Sequence, residues 1–124
     1  MILVDTSVWI SHFRQADAEL SRLLVDLQVC MHPFVMGELA CGNLPDRNET
    51  LNRFARIENA SMATTDEVLT FIEGNQLYGR GLGWTDVNLL ASALIHNCRL
   101  WTLDVCLRQA AVELGVGVYS PAVH

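Results

Sequence analysis

Apolar and polar positions fall along the chain in blocks that read as strands and helices in turn. Met1-Ile2-Leu3-Val4 is a continuous apolar run, as a strand buried on both faces requires, and it stops on Asp5-Thr6-Ser7. Ser7 is expected to cap a short helix reaching Phe13, and Asp17 to open a longer one carrying Leu20, Leu23, Leu24 and Leu27 on one face. Val29 to Met31 suits a second short strand. Pro33 fits the first turn of a helix running to about Cys41, with Gly42 as its terminator. Leu51, Phe54, Ala55 and Ile57 share one face of a helix predicted from Asn48 to about Glu58.

Thr64-Thr65-Asp66-Glu67 has the form of a capping box, and Val68, Leu69, Ile72, Leu77 and Tyr78 follow at helical spacing. That helix should end before Gly79-Arg80-Gly81-Leu82-Gly83. The glycines there suggest a nucleotide loop, but no lysine follows and the segment joins helix to helix, so a turn that aims the next helix is the better reading. Thr85 is expected to cap Asp86 to Asn97, with Leu89, Leu90, Ala93 and Leu94 on a buried face. Arg99-Leu100-Trp101-Thr102-Leu103 repeats the design of the first strand and stops on Asp104. A helix to Leu114 with Gly115 as its cap follows, then a last short strand at Val116 to Tyr119. This order implies an α/β fold with a central, mostly parallel sheet layered between helices.

At 124 residues the chain fits one compact domain over 1–124, with no room for a second core. Hydrophobic residues make up 51 % before the glycines are counted, against roughly 45 to 50 % usual with them, so a partner is expected to cover part of the apolar surface. No apolar run approaches the roughly 18 residues of a membrane span, and the start lacks a basic segment with a long apolar core; a cytoplasmic protein with no membrane contact is expected.

Cys30, Cys41, Cys98 and Cys106 form no CxxC pair and sit among apolar neighbours, which favours buried free thiols over a zinc or disulfide framework. His12, His32, His96 and His124 show no paired spacing and are assigned no catalytic role. A net charge of −6 argues against binding nucleic acid by bulk electrostatics, though not against a nuclease whose metal ions meet the phosphates. All eight basic residues are arginine, which composition bias explains more simply than selection for bidentate phosphate contacts.

The candidate chemistry lies in Asp5, Glu38, Asp86 and Asp104, each at the edge of an apolar stretch where a solvated charge is least expected. Asp5 and Asp104 end strand-like runs, and ligands of open parallel sheets bind beyond the carboxyl ends of strands. Glu38 is either snorkelling to water or facing a cleft, from a helix apolar on nearly every side. Gly37 before it costs about 1 kcal/mol of helix propensity, which suggests a close approach to the backbone there. Asp86 stands at a helix start, where capping alone also accounts for a carboxylate. Converging carboxylates repel, and a hard divalent cation such as magnesium or manganese relieves the repulsion.

The segments MILVDTSVWI, HPFVMGELACG, GWTDVNLLASAL and LWTLD, in this order and spacing, resemble a PIN domain, and specifically the VapC-type ribonuclease toxins of toxin–antitoxin pairs. The resemblance covers the whole chain. It implies a PIN-like three-layer fold and an acidic quartet, here Asp5, Glu38, Asp86 and Asp104, that holds one or two magnesium or manganese ions and cleaves RNA. Ser7 and Thr102 are implied as supporting hydroxyls, and a cognate antitoxin and a homodimer as partners. Such toxins often carry a basic residue after the last acid, where this chain has Val105-Cys106. Candidate RNA contacts are Arg14, Arg47, Arg53, Arg56 and Arg80. Two other readings fit the residues less well. Phosphatases and receiver domains with a strand-end aspartate use a lysine that is absent here, and a non-catalytic PIN-like binding module would have lost at least one acid.

Overall fold

A computed structural model describes residues 1–121; His124 and the end of the expected 1–124 domain lie outside the described residues. In chain order the elements are β1 (Ile2–Val4), α1 (Thr6–Arg14), α2 (Ala18–Val25), β2 (Val29–Met31), α3 (Pro33–Cys41), α4 (Arg47–Phe54), β3 (Glu58–Asn59), α5 (Thr65–Asn75), α6 (Trp84–His96), β4 (Arg99–Trp101) and α7 (Val105–Leu114). The apolar runs became β1, β2 and β4, of which Arg99 alone is exposed.

All pairings are parallel, in the order β3-β2-β1-β4, with Ile2 opposite both Val29 and Arg99. The chain steps outward from β1 to β2 and β3 through α1 to α4, then returns past β1 to β4 through α5 and α6. Right-handed crossovers place the two sets of helices on opposite faces of the sheet, and the direction of travel reverses beside β1. α1 accordingly packs on α3, and α5 on α6. In sheets of this kind ligands bind beside such a reversal, beyond the carboxyl ends of the strands, and Asp5 and Asp104 follow those ends of β1 and β4. Leu3, Val4, Cys30, Met31, Leu89 and Leu100 fill the interior at full burial.

Several boundaries differ from the pattern, each for a local reason. Asp5 rather than Ser7 precedes the first helical residue, and Gly83 rather than Thr85 precedes α6. α2 stops at Val25, so Leu27 lies beyond it, 80 % exposed with a left-handed φ of 56°. The helix predicted over Asn48 to Glu58 ends at Phe54, because Glu58 and Asn59 are drawn into the sheet opposite Cys30 and Met31. Pairing there satisfies backbone groups that the edge of β2 would otherwise leave open, including Ala60 N–H to the Met31 carbonyl at 2.8 Å. Periodicity within one segment carries no information about that edge.

The Thr64 capping box forms with Glu67 as expected, yet α5 closes at Asn75 on a left-handed Gln76, which leaves Tyr78 exposed. Leu69 and Leu94 also face outward instead of joining the buried faces assigned to them. Gly79 and Gly81 adopt φ of 68° and 78°, the turn anticipated before α6. The last predicted strand is reduced to one parallel bridge, Leu100 with Val118, and Pro121 has no N–H to extend it. Cys30 and Cys98 are buried free thiols, but Cys41 and Cys106 are exposed near helix ends. A Cβ at Gly37 would meet nothing within 4 Å, so no segment among the described residues makes the close approach expected there. Among the described residues no helix is long and apolar enough to cross a membrane.

Candidate active site

Asp5 leaves β1 with its backbone N–H bonded to the Trp101 carbonyl at 2.9 Å, which fixes the ends of β1 and β4 side by side. It stands in the N-cap position of α1 but makes no side-chain cap. Its Oδ2 instead accepts two hydroxyl bonds, from Ser7 Oγ and from Thr102 Oγ1, both at 2.7 Å. Each hydroxyl is anchored again from behind. Leu103 N–H donates to Ser7 Oγ and Asp104 N–H to Thr102 Oγ1, both at 3.0 Å. Thr102, 3 % exposed, therefore ties Asp5 and the start of α7 together through one oxygen.

Asp104 caps α7 by accepting Leu107 N–H on Oδ1 at 3.0 Å. Asp86 sits in the first turn of α6 and accepts Gly83 N–H on Oδ2 at 2.8 Å. Asp5, Asp86 and Asp104 thus occupy the N-terminal ends of three helices, whose partial positive charge offsets some of the repulsion among them. In each, one carboxylate oxygen is committed to holding the side chain and the other accepts no hydrogen bond among the described residues. Glu38 projects from the exposed side of α3 and has no ion pair or side-chain hydrogen bond among the described residues. Burial pushes the Asp86 carboxyl above its ordinary value, the Gly83 N–H opposes this, and the charges of Asp5, Asp104 and Glu38 add to the rise. The other three acids singled out in the sequence are thus within electrostatic reach of Asp86.

The donor set is carboxylate oxygen throughout, which fits a hard cation of the magnesium or manganese type. One supporting residue escaped the sequence reading. Asn88 is 3 % exposed, and its Nδ2 donates to the Trp84 carbonyl at 2.9 Å, bracing the turn that carries Asp86. Its signal was a polar residue interrupting the apolar face of α6.

The arginines divide into engaged and unengaged groups. Arg47 donates to the Ala40 and Gly42 carbonyls at the end of α3, Arg53 pairs with Glu49, and Arg80 pairs with Glu113 at 2.7 Å. Arg14 and Arg56 have no ion pair among the described residues.

A family model for the PIN domain matches residues 2–113. The chain belongs to that family. It is 48 % identical over 119 residues, 95 % of this chain and 96 % of the relative, to Ribonuclease VapC32 of Mycobacterium tuberculosis, with the same figures in two strains. The crystal structure of FitAcB from Neisseria gonorrhoeae matches 97 % of both chains with a TM-score of 0.65 at 24 % identity. A structure of FitAB bound to a DNA fragment matches 96 % of this chain and 94 % of that one, with a TM-score of 0.59 at 19 % identity. At these identities the two structures establish the fold.

Proposed function

We propose that this protein is the ribonuclease toxin of a toxin–antitoxin pair, cleaving RNA phosphodiester bonds at a magnesium or manganese site formed by Asp5, Glu38, Asp86 and Asp104. The observation that carries the reading is the placement of Asp5, Asp86 and Asp104 at three helix N-termini, with Asp5 and Asp104 beyond the strand ends at the switch point of the sheet and Glu38 within electrostatic reach of Asp86. A bound divalent ion would supply charge stabilisation at the phosphate and acidify the attacking water. The chain's own contribution is positioning. Ser7 and Thr102 hold Asp5 in one orientation, the Gly83 N–H holds Asp86, and the α7 backbone holds Asp104. Glu38, unbraced on an exposed helix face, is the acid free to adjust as substrate enters. With a net charge of −6, phosphate binding falls to the ions in the cleft rather than to bulk electrostatics.

The antitoxin is assigned to a groove of about 910 Å³ lined by Trp9, Phe13, Leu24, Leu27, Phe54 and Ile57, with Arg53 and Arg56 on its wall. An amphipathic segment fits there with its apolar side inward and acidic residues against the arginines. A homodimer is expected to cover Leu94 and Ile95, exposed near the end of α6.

The test is cleavage of RNA by purified, antitoxin-free protein. Wild type should cut in magnesium or manganese and stop in excess chelator, and Asp5→Asn, which keeps size and removes charge, should fold but not cut. Cleavage that persists in chelator rejects the metal-dependent reading.

A further inference from the structure

A second cluster of ligating side chains lies at the other end of α6 from Asp86. Cys30 and Glu58 are register partners on β2 and β3, so their side chains leave the same face of the sheet. His96 ends α6 and arrives at the same place, with its Nε2 3.7 Å from Glu58 Oε2. The Cys30 sulfur, a Glu58 oxygen and a His96 nitrogen all lie within 4.8 Å of one another. Cys30 is fully enclosed, while the side chains of His96 and Glu58 are 25 % and 63 % exposed, so the cluster has a closed floor and an open mouth.

We propose that Cys30, Glu58 and His96 form a zinc site, distinct from the carboxylate cleft, with the fourth position open to solvent. Thiolate, imidazole and carboxylate together favour zinc over the hard ions suited to a cleft of carboxylates alone. Tetrahedral ligands at about 2.0 to 2.3 Å from zinc stand roughly 3.5 Å apart, so closure asks for a shift of about 1 Å, which exposed Glu58 can supply. Zinc itself displaces the thiol proton on binding, so Cys30 need not be ionised beforehand.

His96 is also braced for the role. Its Nδ1 lies 3.2 Å from Ser61 Oγ and 3.3 Å from Ser61 N. With Nε2 on zinc, Nδ1–H donates to Ser61 Oγ and the weaker contact from the backbone is given up. Asp86 and His96 are separated by about 15 Å along the helix axis, so the two centres do not share ligands. Zinc would fasten β3, a strand of only two residues, to β2 and to the end of α6. Glu58 also lines the apolar groove, so loading stiffens one wall of the surface assigned to the antitoxin.

The test titrates reduced, metal-stripped full-length protein with cobalt(II), whose spectrum reports sulfur ligation. One cobalt per chain should bind with a thiolate-to-metal charge-transfer band and tetrahedral visible bands, and one equivalent of zinc should displace it. Asp5→Asn should leave the band intact, which separates this site from the nuclease cleft. Cys30→Ser should abolish it. Because Cys30 is buried and its replacement risks the fold, His96→Gln and Glu58→Gln provide independent tests, each weakening cobalt affinity by about tenfold or more. Absence of the charge-transfer band, or a band whose affinity neither of those two changes alters, overturns the proposal.

Discussion

His32 makes stability depend on pH in a calculable way. The ring is fully buried, and Nδ1 accepts the Phe34 N–H at 3.0 Å as the N-cap of α3. An accepting Nδ1 places the proton of the neutral ring on Nε2, which has no hydrogen-bond partner among the described residues. A second proton would put a charge in an enclosed site and turn the capping acceptor into a donor. Burial accordingly lowers its pKa from 6.5 to about 4. The unfolded chain then takes up the proton first, so stability is full above pH 6.5 and falls with pH until about 4. The whole shift corresponds to about 3 kcal/mol, of which about 2 kcal/mol is lost by about pH 5. For a chain of 124 residues that is a melting point lower by roughly 8 °C. His32→Asn keeps an oxygen to cap α3 but does not titrate, at a packing cost that is the same at every pH. Urea denaturation of both proteins between about pH 8 and about pH 5 should show wild type losing about 2 kcal/mol more than the variant. Parallel pH profiles would refute the assignment of a neutral buried ring.

Two further perturbations separate the cleft from the groove. Thr102→Val keeps shape but removes the oxygen shared by Asp5 and the Asp104 N–H; a cost of about 1–3 kcal/mol in urea denaturation is expected, with a fall of about tenfold or more in RNA cleavage. Unchanged cleavage in that variant means the strut does not position Asp5. Leu27→Asp lies on the groove, 80 % exposed at a left-handed φ that aspartate tolerates better than leucine, so stability and cleavage should hold while antitoxin no longer protects cells from growth arrest. Full protection would place the antitoxin elsewhere.

Strands β1, β2 and β4, and the acids that follow β1 and β4, were legible because each signal is local: an apolar run that ends on an acid looks the same in a sequence as in a sheet. Asp5 and Asp104 were readable for that reason, whereas Ser7 and Thr102 were named only through the family resemblance. Asp86 and Glu38 were ambiguous in the sequence, since a carboxylate at a helix start or on an apolar helix has two explanations until its neighbours are known. β3 was not legible at all. Glu58 and Asn59 carry no strand signature and pair only because β2 offers an open edge. The Cys30, Glu58 and His96 cluster was hidden with it, since its residues come from β2, β3 and α6 and no linear spacing connects them. Leu27, Leu69 and Leu94 were misplaced because helical periodicity ranks faces without stating where a helix ends or what covers it.

The central claim, that four carboxylates share one metal site, is tested most directly by thermal melts in chelator and in manganese at constant ionic strength. Burial and the acidic neighbours raise the Asp86 carboxyl above its ordinary value, so its ionised form costs folded stability at neutral pH, and that stability returns as pH falls. Asp86→Asn should therefore melt higher than wild type without metal. At manganese about ten times Kd, binding to the folded state adds about 1.4 kcal/mol, or roughly 5 °C for a domain of this size. That increment should shrink in Asp5→Asn, Glu38→Gln, Asp86→Asn and Asp104→Asn alike; increments equal to wild type in all four would contradict a shared site and remove the physical basis of the nuclease assignment.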